Sequence, residues 1–353
     1  MCATDSAVGQ SAAAHSNTTT TSSIQVPVID AGSCFAPDGP QPSAELSRQI
    51  REACEQWGFF QLINHGVSPA YLQRQHEASG TFFSLPLDLK LQCKRSADNA
   101  RGYFNDELTK QVLDLKEGFD FGHKPHPELP DDHPHNRTLD GCNRWPGGQD
   151  DFKAIMTEYY EEMARVSFRL LEIMCMGLGL PPTALHHFFQ GAHTSFLRLN
   201  YYPPVSAQQA QQQLKLGINP HKDAGFLTVL VQDDVPGLQV YHDRQWHTVQ
   251  PIPGAFVINV GDMCQVLTND KFNAPLHRVV APAGRERYSA PFFFNPAYAA
   301  NHESLECCID TDHPRAYRTL NWGDFRSKRF QGDYADVGEE VQIEHYRLSD
   351  PSG

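Results

Sequence analysis

The sequence contains no run of about 18 apolar residues, the length that a helix needs to cross a bilayer, so no membrane span is expected. It contains no CxxC pair, and its nine cysteines are irregularly spaced, which favours reduced thiols in a cytoplasmic protein. Positive charge is scarce, since 29 Lys and Arg stand against 42 Asp and Glu, for a net charge of -13. An acidic surface repels phosphate backbones, so nucleic acid is not an expected partner.

The N-terminal stretch also lacks an apolar core, and no Lys or Arg precedes Arg48. We therefore expect neither a secretory signal nor an Arg-rich transit peptide in this stretch. Ser, Thr and Ala dominate the stretch, which offers too little apolar area to fold. We therefore expect residues 1–23 to be a disordered tail and residues 24–353 to form a single domain.

Apolar residues follow two different periods along the chain. Before residue 190 they recur mostly at helical spacing, whereas residues 98–150 are loop-rich by composition. After residue 190, short apolar runs separated by turns predict a sandwich or a barrel. The expected fold is mainly β with flanking helices. Its predicted parts are a helix-rich N-terminal part over 24–190, a β core over 191–300 and a C-terminal helical flap over 301–353.

The stretch NPHKDAGFLTVLVQDD places two metal-binding residue types at the mouth of an apolar strand. Side chains at i and i+2 of an extended segment share a face, so His221 and Asp223 can reach one ion while Lys222 points away. His277, at the head of another apolar run, is the candidate third ligand. Two His and one carboxylate leave three adjacent positions open on an octahedral Fe(II), for a co-substrate and O2. Structural zinc prefers four Cys-rich ligands, and no Cys lies near this motif.

Two further runs suggest a site for a 2-oxo acid. In RERYSAPFFFNP, Arg287 and Ser289 share a strand face, and they offer a bidentate fork and a hydroxyl donor to a carboxylate. In RLNYYP, the same alternation places Arg198, Asn200 and Tyr202 on one face. A 2-oxo acid could chelate the iron and extend its far carboxylate to Arg287, Ser289 and Tyr202.

These motifs resemble the isopenicillin N synthase-like branch of the Fe(II)/2-oxoglutarate-dependent oxygenases. The resemblance extends over roughly residues 24–347 through motifs that include WGFFQLINHGV, RLNYYPP, PHKDAGFLTVLVQDDVPGLQV, LHRVV and RERYSAPFFFNP. It implies a double-stranded β-helix (jelly-roll) core that holds iron at its open mouth. It also implies that His221, Asp223 and His277 bind the metal. The residues implied to bind 2-oxoglutarate are Asn200, Tyr202, Arg287 and Ser289.

The resemblance further implies C–H oxidation of a small molecule, coupled to conversion of 2-oxoglutarate and O2 into succinate and CO2. Alternation predicts that Phe293 and Asn295 face the substrate, and Phe119 and Phe121 are expected to border the pocket. Arg198 needs a partner if it is buried, either a protein carboxylate or a substrate anion. The second possibility favours a carboxylate-bearing metabolite.

Three alternatives stay open on the sequence alone. An iron oxidase of the same fold could use Arg287 and Ser289 for the carboxylate of its own substrate and form no succinate. A non-catalytic small-molecule-binding relative would be expected to show a decayed triad or clamp. A zinc hydrolase would need a carboxylate base and gives no reason for the Arg-x-Ser pair. The sequence leaves open the substrate, the choice between hydroxylation, desaturation and cyclisation, and the oligomeric state.

Overall fold

A computed structural model describes most of the chain. The described residues are 25–36, 39–96, 98–109, 112–123, 130, 133, 140–190, 193–206, 215–335 and 341–348. The predicted disordered tail, residues 1–23, lies outside them. Among the described residues no disulfide is formed, and none of the helices is long and apolar enough to span a membrane.

Six α-helices are formed in the described part of the chain. The helices are α1 Ala44–Gln56, α2 Pro69–Phe83, α3 Leu87–Leu91, α4 Asp150–Gly177, α5 Asp262–Leu267 and α6 Trp322–Ala335. Ser43 caps α1, because its hydroxyl accepts a hydrogen bond from the backbone N–H of Leu46 at 3.0 Å. Pro86 lies between α2 and α3. At the end of α4, Gly179 has a φ of +76°, a left-handed conformation that glycine adopts without strain.

Two main sheets form the β core. The strands are β1 Val28–Asp30, β2 Phe59–Ile63, β3 Gly102–Phe104, β4 Leu108–Thr109, β5 Val112–Leu113, β6 Glu117–Gly122, β7 Phe196–Tyr202, β8 Leu216–His221, β9 Leu227–Gln232, β10 Leu238–His242, β11 Gln245–Thr248, β12 Phe256–Val260, β13 His277–Val280, β14 Arg287–Phe294, β15 Asn301–His302 and β16 Leu320–Asn321. The major sheet has the order β1-β2-β12-β9-β14-β7-β6-β3, and the minor sheet has the order β11-β10-β13-β8. Together with the flanking helices, they give a mainly β architecture with a jelly-roll core.

The N-terminal part contributes more strand than its composition suggests. The segment predicted to be loop-rich supplies β3 and β6, which pair antiparallel at one edge of the major sheet. It also supplies the β4–β5 hairpin. The short strands escaped prediction because each has few residues in which a period can show. Consequently the first 190 residues do not only wrap the β core but also widen it.

The flanking helices cover one face of the major sheet. α4 packs against α1, α2 and the strands β9 and β14. Thirteen of its residues are buried, at the helical spacing that predicted it. The other face of the major sheet and the minor sheet enclose the cavity that holds the predicted metal ligands.

Candidate metal centre and co-substrate site

The two predicted histidine ligands are cross-strand neighbours. His221 ends β8, His277 begins β13, and the two residues pair directly across the minor sheet. Residues paired in this way project to the same face of a sheet, and the two imidazole centroids lie 4.3 Å apart. The antiparallel register thus brings together two side chains that are far apart in the chain.

Asp223 completes the triad. Its Oδ1 lies 3.7 Å from Nε2 of His221 and 3.7 Å from Nε2 of His277, and the three ligand atoms lie within 4.8 Å of one another. Nδ1 of His221 donates to the carbonyl of Asn219 at 2.8 Å, and Nδ1 of His277 donates to that of Pro275 at 3.1 Å. These bonds leave both Nε2 lone pairs available to one ion. The donor set is that of a non-haem Fe(II) site.

The protonation states of the triad suit metal binding. Burial, together with the neighbouring His277, lowers the pKa of His221 to about 3, so its imidazole is neutral at neutral pH. Burial raises the pKa of Asp223, but the two imidazoles and two hydrogen bonds outweigh it and hold that pKa below its usual value. A neutral imidazole and an ionised carboxylate are the forms that bind a metal.

Two buried polar residues orient Asp223 and were not predicted. Thr228 Oγ1 and Asn259 Nδ2 donate to Asp223 Oδ2, at 2.6 and 2.7 Å, which leaves Oδ1 for the metal. Asn259 is the one polar residue of β12, and Thr228 lies in the apolar run of β9, whose other polar residue is Gln232 at its end. A lone polar residue on the buried face of such a strand was a signal that could have indicated a supporting role.

Lys222 differs from its prediction. The strand ends at His221, so the alternation that would turn Lys222 away does not extend to it. Its side chain lies at the cavity, with Nζ 3.9 Å from Glu344 Oε1. The carbonyl of Lys222 accepts a hydrogen bond from Nη2 of Arg329, on α6, at 3.2 Å. The C-terminal helix therefore contacts the residue that lies between two of the metal ligands.

The triad lies on the wall of a cavity of about 210 Å³. Strand alternation correctly predicted the residues of β7 and β14 that face it, except that Arg287 is fully buried and does not line it. The cavity is lined by Arg198, Asn200 and Tyr202 from β7, and by Ser289, Pro291, Phe293 and Asn295 from β14 and the residue that follows it. The Phe293 ring stacks on Phe196, with centroids 4.6 Å apart. Asn295 is buried, and its Nδ2 donates to the carbonyl of Thr194 at 3.3 Å.

Phe119 and Phe121 do not line the cavity, which corrects the expectation that they border it. Both are buried in the hydrophobic core, where their rings lie 5.7 and 5.1 Å from that of Trp145. The reason is strand parity, because Asp120 between them points to the cavity and its neighbours must point to the helices. Asp120 ion-pairs with Arg198, as expected of a structural contact.

Arg287 is fully buried, its described hydrogen-bond acceptors are the neutral oxygens of Gln232 and Val235, and Asp233 is near enough to interact with its charge. Its Nη1 is buried without a hydrogen-bond partner in the described part of the chain. Tyr202 lies beside it, with the guanidinium carbon 5.0 Å from the ring centroid. Asn200 Nδ2 donates to Ser289 Oγ at 3.4 Å, and Asn200 Oδ1 has no partner among the described residues. A buried cation with an unused donor fits an anionic ligand.

Arg198 belongs to what we term the balanced cluster. Its Nε and Nη2 donate to the two carboxylate oxygens of Asp120, both at 2.8 Å, and its Nη1 donates to Glu107 Oε2 at 3.0 Å. Lys116 Nζ lies 2.6 Å from Glu107 and 3.6 Å from Asp114. Among the described residues, the cluster comprises the cations Arg95, Lys116 and Arg198 and the carboxylates Glu107, Asp114 and Asp120. Its charges cancel.

A second group, the cationic cluster, consists of Arg101, Arg326 and Asp140. Asp140 accepts from Arg101 Nη2 at 2.8 Å, from Arg326 Nε at 3.0 Å and from Arg326 Nη2 at 2.5 Å, and Tyr298 also donates to it. Asp140 is buried, and both arginines line the cavity. Within the described segments, two guanidiniums share one carboxylate, so one positive charge is in excess. Sequence reasoning missed this cluster, whose members come from distant parts of the chain.

Comparisons with known proteins agree with this geometry. Residues 193–296 match the 2OG-Fe(II) oxygenase superfamily, and residues 26–148 match the family described as non-haem dioxygenase in morphine synthesis N-terminal. Jasmonate-induced oxygenase 1 of Arabidopsis thaliana is 32% identical over 307 residues, which cover 86% of this chain and 72% of that protein. Gibberellin 20 oxidase 1-B of Triticum aestivum is 34% identical over 316 residues, covering 88% and 83%.

Solved structures show the same fold. A structure of JOX2 in complex with 2OG, Fe and JA superposes with a TM-score of 0.76 at 30% identity, covering 92% of this chain and 90% of that one. A 2OG-Fe(II) oxygenase family protein from Caulobacter crescentus has a TM-score of 0.74 at 27% identity, with 87% and 98% covered. Together with the His-Asp-His triad, these similarities establish that the chain belongs to the 2OG-Fe(II) oxygenase superfamily and is an oxygenase that uses iron and 2-oxoglutarate.

Proposed function

We propose that this enzyme oxidises a C–H bond of a small, carboxylate-bearing metabolite, by hydroxylation, desaturation or oxidative ring closure. The observation that carries the proposal is the excess charge of the cationic cluster, where Arg101 and Arg326 share the carboxylate of Asp140 and no second one among the described residues. A buried cation without a full counter-charge is costly, and a substrate carboxylate in the cavity would supply the missing charge. The cytoplasmic location expected from the cysteine pattern belongs to the same proposal.

The balanced cluster favours a protein carboxylate over a substrate anion as the partner of Arg198. Asp120 binds its guanidinium through both oxygens, and Glu107 takes the remaining terminal nitrogen. The proposal therefore assigns Arg198 a structural role and moves the substrate anion to Arg326. Arg326 is suited to this role because its side chain is 14% exposed, so a ligand in the cavity can reach it.

The proposal also assigns 2-oxoglutarate to the pocket beside the triad. Arg287 would hold the distal carboxylate through Nη1, with Ser289 and Tyr202 as further polar contacts and Asn200 next to them. The unused donor of Arg287, whose other hydrogen bonds in the described residues go to neutral oxygens, supports this assignment. A bidentate or charge-assisted contact of this kind is stronger than a neutral hydrogen bond.

The chain's own part in the reaction is to bind and orient. When bound, iron, 2-oxoglutarate and O2 supply the oxidising power for C–H cleavage, with succinate and CO2 as co-products. The cationic cluster would fix one end of the substrate, and Phe293 would give its body an apolar wall. Since no proton needs to be taken up by a protein side chain at the C–H bond, the ionic clusters serve positioning and do not act as acids or bases.

Formation of succinate separates this proposal from an iron oxidase of the same fold that uses no 2-oxoglutarate. The enzyme loaded with Fe(II) should form succinate from 2-oxoglutarate under air, slowly without substrate. His221→Ala should abolish that turnover because the triad loses one of its three ligands. If the parent consumes O2 with an organic acid and never forms succinate, the co-substrate assignment is wrong.

The substrate class is tested with pairs of small organic acids and their methyl esters. We expect some acids to stimulate succinate formation and their esters to fail, because esterification removes the charge that the cationic cluster attracts. Arg326→Gln should lose the stimulation and retain substrate-free turnover. Arg285→Gln is the matched control, since that arginine pairs with Asp234 at the surface and does not line the cavity. Equal stimulation by acid and ester would contradict the proposal.

A further inference from the structure

A neutral side chain outside the cavity lining holds the guanidinium of Arg287. Nη2 of Arg287 donates to Oε1 of Gln232 at 2.8 Å, and Nε donates to the carbonyl of Val235 at 3.1 Å. Gln232 pairs with Ser289 across β9 and β14, so the two side chains emerge on the same face of the major sheet. Of the three guanidinium nitrogens, only Nη1 has no partner in the described residues.

The backbone at Gly237 closes the other side of the same side chain. A Cβ at this position would lie 3.1 Å from Cδ and 3.2 Å from Nε of Arg287. Contacts this short are tighter than ordinary van der Waals packing, so the glycine allows the guanidinium to lie against the chain. With Gly237 and Val235 on one side and Gln232 at Nη2, Arg287 has little freedom to rotate.

We infer that Gln232 is a positioning residue for 2-oxoglutarate, because it turns Arg287 so that Nη1 is offered to the distal carboxylate. The inference rests on the proposed function, in which Arg287 binds that carboxylate. The amide is suited to the task because it accepts a hydrogen bond without adding charge. A glutamate would accept the same bond, but its charge would compensate Arg287 and repel the incoming dianion. Gln232 thus orients the guanidinium of Arg287 without weakening its attraction for the carboxylate of 2-oxoglutarate.

The test is the affinity for 2-oxoglutarate of the Mn2+-loaded protein, measured by isothermal titration calorimetry beside the affinity for Mn2+ alone. Gln232→Leu removes the acceptor, and we expect the Kd of 2-oxoglutarate to rise about tenfold, the effect of losing one charge-assisted contact. Gln232→Glu keeps the bond and compensates the charge, and its Kd should rise about a hundredfold. The Kd of Mn2+ should stay at the parent value in both variants, since the triad lies on other strands and loops.

The chain offers a matched control on the minor sheet. Gln239 Oε1 accepts a hydrogen bond from Arg278 Nε at 2.9 Å, and neither residue lines the cavity. Gln239→Leu therefore breaks the same kind of Arg–Gln bond away from the site, and it should leave both affinities unchanged. Gln232→Asn is a second test, which decides the matter if the Leu variant does not fold. Its shorter side chain keeps the amide but does not reach Arg287, so it should behave like Gln232→Leu.

Binding by the Arg287 and Gln232 variants distinguishes a failure of the Arg287 assignment from a failure of the positioning role of Gln232. If Arg287→Gln binds 2-oxoglutarate as tightly as the parent, the assignment of Arg287 itself fails. If Arg287→Gln loses binding while Gln232→Leu and Gln232→Asn bind like the parent, only the positioning role of Gln232 is overturned. A glutamate variant that binds as tightly as the parent would overturn the argument that neutrality matters.

Discussion

The balanced cluster and the cationic cluster line the same cavity with the same residue types, yet among the described residues only the first is electrically complete. Arg198 meets two carboxylates, whereas Arg326 and Arg101 share one. A buried arginine in an active site is therefore not by itself evidence of a subsite for an anion. The evidence lies in how many carboxylates pair with each arginine. This number predicts a structural role for the balanced cluster and ligand binding for the cationic cluster.

The largest expected effect is on the stability of the balanced cluster. Arg198→Leu leaves Asp120 and Glu107 buried without their main cation, and the free energy of unfolding should fall by about 3–5 kcal/mol. Urea unfolding followed by circular dichroism measures the loss. Arg326→Leu should cost less, since Asp140 keeps Arg101 and Tyr298 as donors. If the Arg198 variant is as stable as the parent but no longer responds to substrate, the roles of the two clusters are reversed.

A smaller effect, on substrate binding, is expected at the cationic cluster. With an acid identified by the succinate assay, Arg326→Gln should raise KM by about 10- to 100-fold, since a charge-assisted contact contributes about 1.5–3 kcal/mol. The KM for 2-oxoglutarate should stay at the parent value, because Arg287 is untouched. Steady-state kinetics with each substrate varied in turn provide the comparison. A parallel rise in both KM values would show that the two subsites are not separate.

The smallest expected effect is a dependence of the stability of the balanced cluster on pH. Burial raises the pKa of Glu107, but Arg198, Lys116 and Arg95 outweigh it and hold that pKa below the usual 4.5. A carboxylate with a depressed pKa stabilises the fold above its unfolded-state pKa, and that stabilisation is lost as the pH falls through the folded-state pKa. Stability should thus stay level across neutral pH as far as Glu107 is concerned, and decline below about pH 4.5.

Urea unfolding at a series of pH values checks this expectation. Glu107→Gln should show a shallower decline in acid than the parent, because the group that takes up the proton is gone. Burial likewise raises the pKa of Asp140, which Arg326 and Arg101 nevertheless keep below its usual 3.8. An unchanged acid slope in Glu107→Gln would contradict the ion pairing assigned to it.

Much of the site was predictable because strand alternation is local. His221, Asp223 and His277 form the predicted triad, and the residues of β7 and β14 expected at the cavity line it, with the exception of Arg287, which is fully buried behind the lining. The errors also have local causes. Phe119 and Phe121 were placed without knowing that β6 exists, and the parity of that strand turns them into the core. Lys222 was predicted to point away from the metal by extending the alternation of β8, but that strand ends one residue earlier, at His221.

By itself, the sequence determined which side chains share a face, because the two-residue period of a strand depends only on neighbouring residues. The tertiary structure decided which charges are already compensated. The sequence alone does not distinguish Arg198 from Arg326 in this respect. Their partners Asp120 and Asp140 come from segments far away in the chain. Electrostatic compensation depends on distances through space, which no local period encodes. The proposed anion subsite could therefore be recognised only once the fold had brought the charges together.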